Sequence, residues 1–134
     1  MEKTFIKSPK DMFTFGENLS KKSRIIFLEW ELGAGKTTLV KWFAAGLWIN
    51  PHSVNSPTYT YMQWYEGKLL HIDMYNITAF EELIEKWIID QIHEHEYIAI
   101  ERPKFIDQLW LHWWYFVRLE KKDSHTRTAF IESF

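Results

Sequence analysis

Six consecutive residues, Gly33-Ala34-Gly35-Lys36-Thr37-Thr38, lie between an apolar run ending at Trp30 and a series of apolar residues at helical spacing, Leu39, Val40, Phe43, Ala44 and Leu47. Glycines at such a junction let several backbone N–H groups converge on one point, and the first helical turn adds partial positive charge there. The chemistry this serves is phosphate binding. Lys36 is placed to reach the β- and γ-phosphates of a nucleoside triphosphate, and the Thr37 hydroxyl to ligate a magnesium ion bridging them. The competing reading is a tight turn with Lys36 merely solvated. It sets a lysine against the positive end of a helix dipole, which is unfavourable.

A magnesium nucleotide site also calls for carboxylates at the carboxyl ends of neighbouring strands. Two strand-like runs end on one: Leu69-Leu70-His71-Ile72-Asp73 and Tyr97-Ile98-Ala99-Ile100-Glu101. Either acid can hold a metal, directly or through water, or orient an attacking water. For each, the competing reading is an exposed acid at a strand end.

These groups must be positioned by strands and helices. Ser8-Pro9-Lys10-Asp11 reads as N-cap, first-turn proline and acidic third position of a helix whose apolar face is Met12, Phe15 and Leu19. Arg24 to Trp30 lacks strict alternation, as expected of a strand buried on both faces of a parallel sheet. After a polar, turn-rich stretch from Asn50 to Pro57, the runs 59–65 and 68–75 predict a hairpin turning at Glu66-Gly67. Thr78-Ala79-Phe80-Glu81 reads as a capping box, and Phe80, Leu83, Ile84 and Trp87 predict one amphipathic helix. The run 97–100 is a short buried strand, 103–111 has helical character, and 113–120 and 126–133 are closing strands. The expected fold is α/β: a P-loop NTPase-like three-layer sandwich with a mixed, largely parallel central sheet flanked by helices, in one domain over residues 1–134.

Composition narrows the classes. With 46% hydrophobic and 25% charged residues the chain has globular usage, which argues against disorder. It has no cysteine, so disulfide scaffolds and thiolate zinc sites are excluded. A net charge of -2 gives no electrostatic reason for a nucleic-acid or membrane partner. Residues 1–7 are too short and too charged for a signal-peptide core, and a cytoplasmic location is expected. Tryptophan is over-used, eight residues against five glycines, and the excess bears on the departures below.

The chain resembles the bacterial TsaE (YjeE) family. The resemblance rests on Leu32-Gly33-Ala34-Gly35-Lys36-Thr37-Thr38-Leu39-Val40, Ser56-Pro57-Thr58-Tyr59-Thr60, His71-Ile72-Asp73-Met74-Tyr75, Glu81-Glu82-Leu83 and Ile100-Glu101, in that order and spacing. It implies an ATPase of the threonylcarbamoyladenosine (t6A) modification of tRNA that acts with TsaD and TsaB and meets tRNA only through that complex. It further implies ATP on residues 33–38, magnesium on Thr37 and Glu101, support of the metal or water by Asp73, a switch-like loop at Thr58 and a C-terminal nucleotide contact at Arg127.

The chain departs from the pattern where Trp30 stands in place of the first P-loop glycine, setting an indole where the backbone should pass close to phosphate. The family also has glycine where Trp42, Trp48 and Trp87 stand, the last two at expected helix ends that call for left-handed backbone. It has tryptophan where Arg102 follows Glu101. Trp30 and Arg102 raise one alternative, a P-loop binding module with lost or weakened turnover; a second is a small-molecule kinase, since P-loops also serve phosphoryl transfer, although four arginines are few for a kinase lid. His93-Glu94-His95-Glu96 lacks zinc-site spacing and reads as an acidic loop, and Trp110, Trp113, Trp114 and Tyr115 read as core or partner-facing surface.

Overall fold

A computed structural model describes residues 2–30, 36–55 and 61–134, the side chain of Lys36 excepted. Its elements are β1 (Glu2–Ile6), α1 (Pro9–Lys22), β2 (Ile25–Trp30), α2 (Lys36–Gly46), β3 (Met62–Tyr65), β4 (Leu69–Asp73), α3 (Phe80–Glu85), α4 (Ile88–Glu94), β5 (Tyr97–Glu101), β6 (Trp114–Lys121) and β7 (Arg127–Ser133). The strands form one sheet in the order β1-β7-β6-β2-β5-β4-β3. Its four middle strands, β6, β2, β5 and β4, run parallel, while β1, β7 and β3 pair antiparallel at the flanks. The expected mixed sandwich is thus what the chain adopts.

Strand periodicity divides the core in two. Ile26 and Leu28 of β2 join the apolar faces of α1 and α2, including Met12, Phe15, Leu39 and Phe43. Ile25 and Phe27, pointing the other way, join Leu83, Ile88 and Ile92 of α3 and α4. A strand whose successive residues must all be buried shows no polar alternation, which is why the run around Phe27 looks continuous in sequence.

α1 begins as its residues predict, with the Ser8 hydroxyl accepting from the Asp11 amide at 3.1 Å and the Asp11 carboxylate accepting from the Lys7 amide at 3.0 Å. α1 and α2 cross closely at Gly16, where a β-carbon would stand 2.7 Å from Trp42 Cβ. The hairpin turns where expected: Glu66 and Gly67 have φ of 52° and 68°, and the Lys68 amide donates to the Tyr65 carbonyl at 3.0 Å. Two central residues of positive φ are the signature of a type I′ turn, whose twist matches that of the strands.

Several expectations are corrected. The helix expected over Phe80–Trp87 stops at Glu85, and Trp87 turns left-handed, with φ 63°, to launch the unforeseen α4. Ile84 and Trp87 are consequently exposed rather than core. The cap is also shifted by one: Glu82, not Glu81, accepts from the amides of Thr78 and Ala79 at 2.9 and 3.1 Å and from the Thr78 hydroxyl at 2.6 Å. Only this half of a capping box forms, because Ala79 at the N-cap has no side-chain acceptor. Between Pro103 and Leu111 there is one 3-10 turn, Ile106–Gln108, in place of a helix. His93 and Glu94 belong to the last turn of α4 rather than to a loop.

Candidate functional site at the carboxyl ends of the parallel strands

β2 ends at Trp30 and α2 starts at Lys36, so the strand and the helix expected on either side of residues 31–35 both form. Thr37 is half-buried and Thr38 exposed in its first turn. Gly33, Ala34 and Gly35 lie outside the described residues, as does Thr58. Their assignment rests on sequence.

Asp73 and Glu101 are brought together. They end neighbouring parallel strands and are register partners, which aims both side chains at the face of the sheet that carries α1 and α2. Neither is an exposed strand-end acid: Asp73 is 1% and Glu101 0% exposed. One Asp73 oxygen, Oδ1, accepts from the Tyr75 amide at 2.9 Å, and Oδ2 lies 3.9 Å from the Arg102 guanidinium.

Glu101 is held differently. Its Oε2 meets His71 Nε2 at 2.9 Å, and His71 Nδ1 meets the Tyr65 hydroxyl at 2.9 Å. That hydroxyl also reaches the carbonyl of Asn55 at 2.9 Å and accepts from the Asn55 amide at 3.2 Å. Burial pushes the Tyr65 phenol up to about 12, opposed by the Asn55 hydrogen bond and reinforced by the Glu101 charge, so the phenol keeps its proton. The other Glu101 oxygen, Oε1, is buried with no hydrogen-bond partner among the described residues. An orphaned carboxylate oxygen in a dry site costs stability unless a cation completes it. Tyr65 and His71 were not foreseen as site residues; the available signal was a histidine two residues before Asp73, on the same strand face, inside an otherwise apolar run.

Trp30 keeps strand geometry as the last residue of β2, so positive φ is not demanded of it. Its indole lies 5.4 Å from the Arg102 guanidinium carbon, which also covers the Tyr75 ring at 4.3 Å. Arg102 thus recovers by stacking part of the packing expected of an aromatic residue. Arg127 opens β7, donates to the carbonyls of Asp123 and Thr126 at 3.1 and 3.0 Å, and lines a cavity of about 450 Å³ together with Thr38, Met12 and His125. That cavity sits beside the first turn of α2. His93 and His95 face separate backbone carbonyls, of Leu109 and Gln91, and do not converge. Among the described residues no three His, Asp or Glu side chains form a metal cluster, and no helix is long and apolar enough to cross a membrane.

The family model described as threonylcarbamoyl adenosine biosynthesis protein TsaE matches residues 6–129. The chain belongs to the TsaE family. TsaE proteins similar to it include that of Aquifex aeolicus, 40% identical over 88 residues, covering 60% of this chain and 66% of that protein. The TsaE of Synechocystis is 36% identical over 106 residues, 71% of this chain and 66% of that protein, and that of Nostoc 46% identical over 71 residues, 51% and 43% respectively. The chain therefore matches at most about two thirds of the length of these TsaE relatives. The crystal structure of Bacillus subtilis YdiB superposes with a TM-score of 0.65 over 96% of this chain and 82% of that one, at 21% identity, a likeness of fold.

Proposed function

We propose that this TsaE-family chain binds ATP with magnesium and hydrolyses it in support of t6A modification of tRNA, acting with TsaD- and TsaB-like partners and meeting tRNA only through them. The observation that supports it best is the buried Glu101 carboxylate, with one oxygen tied to His71 and the other unpaired, beside Asp73 on the face of the sheet that carries α1 and α2. A hard cation suits an all-oxygen set of this kind, and magnesium takes few protein ligands because phosphates and waters supply the rest. In this reading Glu101 and Thr37 hold the metal, which neutralises charge developing on the phosphates. Residues 33–38 cradle the phosphates, with Lys36 on the β- and γ-groups; Asp73 orients the water; and the cavity lined by Thr38, Met12 and Arg127 receives the nucleoside end.

Calorimetric titration of Mg-ATP into the chain and into Lys36→Ala tests the reading. Binding lost in the variant supports it; equal binding in both, or none in either, refutes it. A second reading is favoured by the Trp30 indole against Arg102: a module that binds nucleotide but turns it over weakly. Trp30→Gly would then raise ATP hydrolysis measured with the partner proteins, and an unchanged rate would eliminate this second reading.

A further inference from the structure

The geometry points to Tyr65 and His71 as positioning residues for Glu101 that tie the aim of its carboxylate to the backbone at Asn55. The inference rests on the reading of Glu101 as the metal-side carboxylate, but the link itself can be tested without nucleotide. His71 and Glu101 are fully buried and Tyr65 is 4% exposed. The carboxylate only accepts, so His71 Nε2 carries the hydrogen between them, and in the neutral imidazole Nδ1 is then the acceptor. The Tyr65 hydroxyl has one proton and faces three acceptors: His71 Nδ1, the Asn55 carbonyl and Gln63 Oε1 at 3.3 Å. While it satisfies His71 it leaves the Asn55 carbonyl without that bond. The proton's place on the phenol is therefore decided jointly by Glu101, through the imidazole, and by the chain at Asn55, which leads into the segment containing Thr58. Partners of this kind around a metal carboxylate are worth about ten- to a hundred-fold in metal affinity.

The test uses the full chain and two variants that preserve volume or donor capacity, Tyr65→Phe and His71→Gln, with His71→Ala as the severe case. For each, ATP affinity is measured with and without magnesium, and the exchange rate of the Asn55 amide is measured without nucleotide. Tyr65→Phe and His71→Ala should keep Mg-free ATP affinity within about twofold while reducing the gain on adding magnesium by about tenfold or more, and His71→Gln should restore part of it. Losses should not add in Tyr65→Phe/His71→Ala, because both residues act along one path. Without nucleotide, Glu101→Gln should change Asn55 exchange by about fivefold or more, and this response should vanish on a Tyr65→Phe background. Equal loss of both affinities, additive losses, or an Asn55 amide indifferent to Glu101→Gln overturns the link. Should the chain bind no nucleotide at all, the function reading fails while the exchange arm still decides the link.

A separate observation carries a second inference. Among the described non-glycine residues with positive φ, four are tryptophan: Trp48, Trp87, Trp110 and Trp113, at 65°, 63°, 55° and 61°. All four are at least 69% exposed, so no burial offsets the strain of an L side chain in left-handed backbone. We infer that these are glycine positions, and that a single codon read as tryptophan in this chain and as glycine in the cell that encodes it accounts for all four. Intact-mass measurement of the protein isolated from that cell should fall short of the tryptophan-containing mass by whole multiples of the tryptophan-to-glycine difference. The fourfold Trp→Gly variant should melt several degrees higher. A native mass with tryptophan at all four positions overturns the inference, as does a variant melting no higher than the chain itself.

Discussion

At the scale of single residues, the phenol of Tyr65 makes a pH prediction with a definite sign. Its pKa rises from 10.0 unfolded to about 12 folded, so the folded state holds the proton longer. The contribution of this phenol to stability is fully present below pH 10 and is lost as pH rises from about 10 to 12, on the order of 2–3 kcal/mol in all. Thermal melts at pH 9 and pH 11.5 should show that loss in the chain and a smaller one in Tyr65→Phe. Glu101 predicts the opposite kind of change. Replacing the half-unpaired carboxylate with Glu101→Gln removes a buried charge, so the nucleotide-free protein should be as stable as before or more stable by about 1 kcal/mol, while magnesium ceases to improve ATP binding. Urea melts with and without Mg-ATP check both halves. That two strands end on Asp73 and Glu101 was legible in sequence, because each acid closes a short apolar, β-rich run. Their burial was not, nor was the histidine between Glu101 and Tyr65, since its contact with Glu101 joins residues 30 positions apart.

At the scale of elements, the crossing of α1 and α2 depends on the absence of one methyl group. Gly16→Ala would set its β-carbon 2.7 Å from Trp42 Cβ and 3.1 Å from the Leu39 carbonyl, contacts that only a shift of the two helices relieves. A cost of about 1–3 kcal/mol is expected, seen as a lower urea midpoint at unchanged slope. The start of α3 hangs on Glu82, whose carboxyl is held below the usual range by the Thr78 hydroxyl and the amides of Thr78 and Ala79. Glu82→Ala should lower the urea midpoint at unchanged slope. Sequence periodicity misplaced the end of this helix because Phe80, Leu83, Ile84 and Trp87 satisfy helical spacing whether or not one helix joins them. The left-handed turn at Trp87 diverts the chain so that Ile88 and Ile92 reach the core instead.

At the scale of the molecule, the proposed ligand would bind only the folded chain. Mg-ATP at a hundred times its dissociation constant should therefore stabilise the fold by about 2.7 kcal/mol, a rise in Tm on the order of 10 °C, and Lys36→Ala should abolish it. Differential scanning fluorimetry reads this directly. The seven-stranded sheet makes such a ligand consequential: β2, β5 and β4 are parallel neighbours, so their carboxyl ends, with Asp73 and Glu101, lie along one edge of the sheet.

What the amino-acid sequence determined alone is local and periodic. The N-cap at Ser8, the hairpin at Glu66-Gly67, the buried strand through Phe27 and the strand-ending acids each follow from backbone preferences or side-chain alternation within a few residues. The tertiary structure decided what depends on distant partners. The order of the strands set Asp73 beside Glu101, and the closing of β3 onto β4 brought the Tyr65 hydroxyl to His71. Packing also chose which apolar residues of the segment 80–94 were buried. These outcomes turn on which surfaces meet, and no window of neighbouring residues contains the atoms on both sides of such a contact.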